Sequence, residues 1–110
     1  MSKRILSGAA VVLAFVALSP LGGTAHAADQ AVAIRQFAFT PQDITIHVGD
    51  TVVWTNEDAT PHSVVAKAGG FKSPKLVKGA TYSQTFSAAG TFDYFCGFHP
   101  SMLGKVVVTP

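Results

Sequence analysis

Apolar and polar residues alternate along the chain in short blocks, separated by glycine, proline and aspartate. Ile44, Ile46 and Val48 alternate with Thr45 and His47 before Gly49-Asp50 turns the chain. Thr51 to Asn56 follows, with Val52 and Trp54 on one face. His62 to Ala66 is a β-branched run, Tyr82 to Phe86 alternates again, and Thr91 to Cys96 begins after a break at Gly90. Lys105 to Thr109 closes the chain as an apolar strand, and an opening strand is expected from about Ala31 to Phe37. No helical periodicity runs long enough to compete with this period of two. Turn signals recur every ~8–12 residues, the spacing of a β-sandwich, so the pattern predicts an all-β domain of about seven strands. Ala68 to Gly79 is the one long irregular stretch.

The first 27 residues have a different character. Lys3 and Arg4 precede an uncharged run from Ile5 to Leu18, and Ala25-His26-Ala27 supplies a small-x-small cleavage pattern. The apolar run is shorter than the ~20 residues a membrane span needs, so residues 1–27 are expected to be a secretory signal peptide. Residues 28–110 then form a single soluble, exported domain. No cysteine directly follows the cleavage site to carry a lipid anchor, and none of the remaining sequence suggests a membrane anchor. The formal net charge of +2 belongs mostly to the leader: beyond it, six basic residues balance six acidic ones. A neutral domain of this kind excludes nucleic acid as a natural partner.

Cys96 is the only cysteine. An exported chain with one thiol cannot form an internal disulfide, so the thiol is inert, paired with another chain or held by a metal. Phe92, Tyr94 and Cys96 share one face of their predicted strand and Thr91, Asp93 and Phe95 the other, which aims the sulfur inward at the strand's end. His99 follows three residues after Cys96 and Met102 three after that, and His62 stands far upstream behind Thr60-Pro61. One thiolate, two imidazoles and a weak axial thioether are the donor set of a blue-copper electron-transfer site. Thiolate and thioether suit Cu(I), and imidazole suits both oxidation states. Zinc is disfavoured by the thioether and by the lack of a fourth hard ligand. A Cys-His nucleophile is disfavoured because the sulfur faces the core and no orienting Asn or Asp is placed beside it.

From about Ala31 to Pro110 the chain resembles the plastocyanin/azurin group of cupredoxins, with amicyanin the nearest in loop spacing. The residues that carry the resemblance are Gly49-Asp50-Thr51-Val52-Val53-Trp54-Thr55-Asn56, then Pro61-His62 and Ala89-Gly90-Thr91-Phe92-Asp93-Tyr94. The last block is Cys96-x-x-His99-Pro100-x-Met102-x-Gly104-Lys105-Val106-Val107-Val108. The resemblance implies a Greek-key β-sandwich of seven to eight strands, with one copper cycling between Cu(I) and Cu(II) on His62, Cys96, His99 and Met102. It also implies one-electron transfer between redox proteins, with no enzymatic activity. A dehydrogenase-type donor and a c-type cytochrome acceptor are the partners the resemblance suggests, and a monomeric periplasmic carrier is the expected form. Two positions depart from the pattern. Ser63 stands where the family commonly has Asn, a shorter brace for the ligand loop, though its N–H can still reach the sulfur. Phe98 stands where amicyanin-like loops have Pro, and its N–H could supply a second hydrogen bond to the sulfur, which would raise the reduction potential.

The remaining candidates have plainer readings. His47 is expected on the solvated face and Trp54 in the core. Lys67, Lys72, Lys75 and Lys78 read as a solvated loop, with a docking patch for an acidic redox partner as the sharper alternative. Pro61, Phe98 and Pro100 flank the two histidines and would ring the exposed edge of His99 as a port for electrons. Two other functions fit parts of the pattern: a copper-trafficking or tolerance module using the same donors, and a metal-free adhesion sandwich.

Overall fold

The computed structural model describes residues 27–110, and the predicted leader, Ala27 excepted, lies outside the described residues. Eight strands form in chain order: β1 (Asp29–Arg35), β2 (Ala38–Thr40), β3 (Asp43–His47), β4 (Thr51–Asn56), β5 (Val65–Ala66), β6 (Thr81–Thr85), β7 (Gly90–Cys96) and β8 (His99–Thr109). One sheet has the order β2-β1-β4-β6 and the other β3-β8-β7-β5. β1 runs parallel to β4, and β3 parallel to β8, while the other neighbours are antiparallel. The inward residues of both sheets close a single core around Trp54 and Tyr94, whose rings meet edge to face at 5.3 Å. The predicted β-sandwich is therefore the observed one, with Trp54 fully buried as expected.

Alternation explains most of the strand positions. In β4, Val52, Trp54 and Asn56 are buried while Thr51, Val53 and Thr55 are only partly covered. In β7 the inward set ends in Tyr94 and Cys96, with Thr91 and Asp93 outside. Gln84 interrupts the inward set of β6, between Tyr82 and Phe86. It stays half-covered because its amide accepts the Tyr82 hydroxyl at 3.1 Å and donates to the Thr85 carbonyl at 3.1 Å.

Three strand expectations need correction. The opening strand ends at Arg35, because Gln36 and Phe37 adopt left-handed backbone angles (φ 52° and 58°) that leave the sheet. The β-branched run from His62 to Ala66 pairs as a strand only at Val65–Ala66. Its earlier N–H groups go elsewhere, Ser63 to the Cys96 sulfur and Val64 to the Ser73 hydroxyl, so no ladder can include them. His62 instead exchanges two backbone hydrogen bonds with Leu76, at 3.1 and 2.8 Å. The closing strand starts not at Lys105 but at His99, directly opposite Cys96. The segment expected to be a ligand loop is thus a tight hairpin with only Gly97 and Phe98 at its tip, followed by strand.

Candidate metal centre

The β7–β8 hairpin places two donors by itself. Cys96 ends β7 with its sulfur buried, and His99 opens β8 half-covered. Met102 lies further along β8, buried in the same core cluster as Cys96. The third donor comes from the segment after β4. Buried Asn56 ends that strand and donates to the carbonyls of Thr60 (3.0 Å) and Leu76 (2.8 Å), while its side-chain oxygen accepts the Asp58 N–H. These bonds fix the path that carries His62 to the sulfur.

His62, Cys96 and His99 each present one donor atom, all within 4.8 Å of one another. The sulfur lies 3.6 Å from His62 Nδ1 and 3.7 Å from His99 Nδ1. A metal with bonds of ~2.0 Å to nitrogen and ~2.3 Å to sulfur needs such pairs about 3.5–3.7 Å apart, so the spacing fits an ion held among the three. The tautomer fits too. His62 Nε2 lies 2.8 Å from the Asp58 carboxylate, which can only accept, so Nε2 carries the proton and Nδ1 is left with its lone pair facing the sulfur. His47, by contrast, is exposed on β3 and 3.9 Å from Asp50, well away from this cluster in role.

Asp58 is a residue that sequence reasoning counted only as a charge. Its carboxylate also accepts the N–H groups of Gln36 (2.7 Å) and Phe37 (3.0 Å). Burial alone would raise its pKa, but the Phe37 N–H, the His62 ring and the Gln36 N–H together outweigh that and hold it below the ordinary carboxylate value. Those bonds compensate the left-handed turn and set Phe37 edge-on to both histidine rings, 5.1 Å from His62 and 4.9 Å from His99. Phe37 thereby covers the site from the solvent side, although it is itself 49% exposed. Neither residue had a local signature, since the contact spans 21 or 22 residues of chain.

Ser63 braces the hairpin better than its length suggested. Its N–H points at the Cys96 sulfur at 3.4 Å, and its hydroxyl accepts the Gly97 N–H at 2.8 Å. Among the described residues this is the one backbone N–H directed at the sulfur, so the second bond considered for Phe98 is not formed; its side chain is 51% exposed.

A two-sheet sandwich that holds a buried cysteine sulfur and two imidazoles in one cluster, with a thioether on the adjoining strand, defines a small blue-copper electron-transfer domain. The chain belongs to the cupredoxin-like domain family, whose model matches residues 8–108. Among curated relatives, amicyanin-alpha of Methylorubrum extorquens is 39% identical over 96% of this chain and 98% of the relative. Amicyanin of Paracoccus denitrificans is 43% identical over 76% of this chain and 70% of the relative. A solved amicyanin variant with one methionine replaced by alanine, in the Cu(I) state, superposes with a TM-score of 0.67 at 43% identity, covering 71% of this chain and 79% of that one. Within its family the chain is thus most like amicyanin.

Proposed function

We propose that this protein is an exported, monomeric carrier of single electrons, in which His62, Cys96 and His99 would hold copper strongly and Met102 would hold it weakly. The observation that carries the reading is the convergence of both Nδ1 atoms on one buried cysteine sulfur. Bound copper supplies the one-electron Cu(I)/Cu(II) couple. The protein's own residues do the rest. Asn56, Asp58 and Ser63 hold the donors in place, so little has to move when the charge changes. Phe37 and the surrounding core keep water from the sulfur. Half-covered His99, flanked in sequence by Phe98 and Pro100, with Pro61 just before His62, carries the electron to the surface. Contacts made there are expected to be small and short-lived, as suits a carrier that must leave after each exchange. A dehydrogenase-type donor and a c-type cytochrome acceptor are the partners proposed. Export rests on the leader pattern of residues 1–27; among the described residues no helix is long and apolar enough to cross a membrane.

Copper retention and electron exchange test the function together. The copper-loaded protein is expected to keep its metal against a chelator in both oxidation states and to exchange electrons quickly between copies. Ready loss of copper with slow exchange would favour trafficking instead.

Asp58→Asn tests how the site is tuned. A carboxylate on the far nitrogen makes His62 a more basic ligand and favours Cu(II). Its loss is expected to raise the reduction potential by about 59 mV, a tenfold shift toward Cu(I) for one electron. Voltammetry of the two proteins decides this, and an unchanged or lower potential counts against a tuning role.

A further inference from the structure

Asp50 is the one buried acid among the described residues, 5% exposed, and nothing in the copper site uses it. It closes the turn between β3 and β4, where Oδ2 accepts the His47 N–H at 2.9 Å and its own N–H returns to the His47 carbonyl at 3.0 Å. The other oxygen, Oδ1, accepts the N–H of Ala28 at 3.0 Å. Ala28 is held on both sides, because its carbonyl accepts the Thr51 N–H at 2.9 Å just before β1 pairs with β4. Ala28 is also the residue that follows the Ala25-His26-Ala27 cleavage pattern.

We propose that Asp50 is the receptor for a new amino terminus created by leader cleavage between Ala27 and Ala28. The inference rests on the export reading given above. Hydrolysis by a signal-peptide hydrolase adds one water across the amide. Ala27 leaves with a carboxylate on the departing leader, and the Ala28 amine takes up a proton at neutral pH, its ordinary pKa being ~7.7–8.0. The neutral N–H that donates to Asp50 becomes an ammonium with three N–H groups and a positive charge, already at hydrogen-bond distance from an enclosed carboxylate. Charge-assisted bonds of this kind are roughly twice as strong as neutral ones. Among the described residues, the exposed His47 imidazole stands 3.9 Å from the opposite oxygen, and Pro110 lines the same cavity as Ala28, His47 and Asp50. The His47 and Ala28 N–H groups hold the Asp50 carboxyl below its usual pKa against the effect of burial, so it is ionised and ready to receive the ammonium. Processing therefore fastens β1 to the sandwich, and the precursor folds less firmly than the mature protein. Such a difference suits a chain that must cross a membrane before it folds.

The test compares copper-loaded protein with a free Ala28 terminus, made by in vitro removal of a fusion partner, with two capped forms. One retains Ala27 and the other is acetylated on Ala28, and all three are also made with Asp50→Asn. In denaturant unfolding the free terminus is expected to favour the folded state about tenfold over both capped forms, and Asp50→Asn is expected to erase the difference. Equal stability of free and capped forms, or a difference that survives Asp50→Asn, overturns the proposal. If Asp50→Asn does not fold, titration of the Ala28 amine by nitrogen NMR decides: pairing raises its pKa above the ordinary value, and an ordinary value overturns it. The terminal mass of the exported protein is read separately. A start at Ala28 supports the cleavage site, and any other start overturns the leader boundary without touching the result for the ion pair.

Discussion

Cys96→Ser is expected to abolish the intense visible band of the Cu(II)-loaded protein while leaving the sandwich folded. The band arises from thiolate-to-copper charge transfer, and Cys96 is the only source of a thiolate in the chain. The serine hydroxyl does not ionise at neutral pH, so the donor set would lose its one anionic member. Loss of an outer-shell partner alone costs ~10–100-fold in metal affinity, and loss of the thiolate is expected to exceed that range. The fold has less at stake. Serine is close to cysteine in volume, and the Ser63 N–H that now meets the sulfur at 3.4 Å can donate to the new oxygen. A stability loss of about 1–3 kcal/mol from burying a hydroxyl is the upper expectation. Spectra and thermal unfolding of the two copper-titrated proteins check both halves. A variant that keeps the band sinks the assignment of Cys96, and a variant that unfolds assigns the residue a larger packing role than its size suggests.

The donors were legible because three of them are local. Cys96, His99 and Met102 recur at intervals of three in one run, and the period of two through Phe92, Tyr94 and Cys96 already aimed the sulfur inward. β4 was legible to the residue for the same reason, its inward positions being apolar up to Trp54. What failed was structure set by distant partners. A β-branched run at His62 to Ala66 favours strand, yet a sulfur and the Ser73 hydroxyl claim its N–H groups. Phe37 is an aromatic residue with strand preference, yet Asp58 holds it in a left-handed turn. His99 to Met102 was expected in a loop ahead of a closing strand at Lys105, but Pro100 is exposed and the strand runs through it. The donors follow from residue type and spacing, whereas their supports follow from contacts that spacing does not encode.

Gly104→Ala is expected to damage fold and site together, because the copper-binding hairpin is packed against itself at that point. Gly104 lies on β8 directly opposite Tyr94 on β7. A Cβ at position 104 would overlap the Tyr94 ring at Cζ, Oη and Cε1. The ring cannot swing aside, since it is fully buried between Trp54 at 5.3 Å and Phe39 at 4.7 Å. Its phenol is pushed up to about 12 by burial, so it stays neutral and acts as packing, not as a proton carrier. The strain must therefore pass into the backbone and separate β7 from β8. Overpacking of this kind costs ~1–3 kcal/mol, and more where the obstacle is a rigid ring. The same two strands hold Cys96, His99 and Met102, so their separation also moves the sulfur relative to the imidazoles. Denaturant unfolding is expected to show the stability loss, and the visible spectrum a weaker or shifted thiolate band. Adding Tyr94→Leu removes the obstacle, so the double variant is expected to be less destabilised than the sum of the two single changes. Simple additivity would show that the glycine is needed for some reason other than the ring it faces.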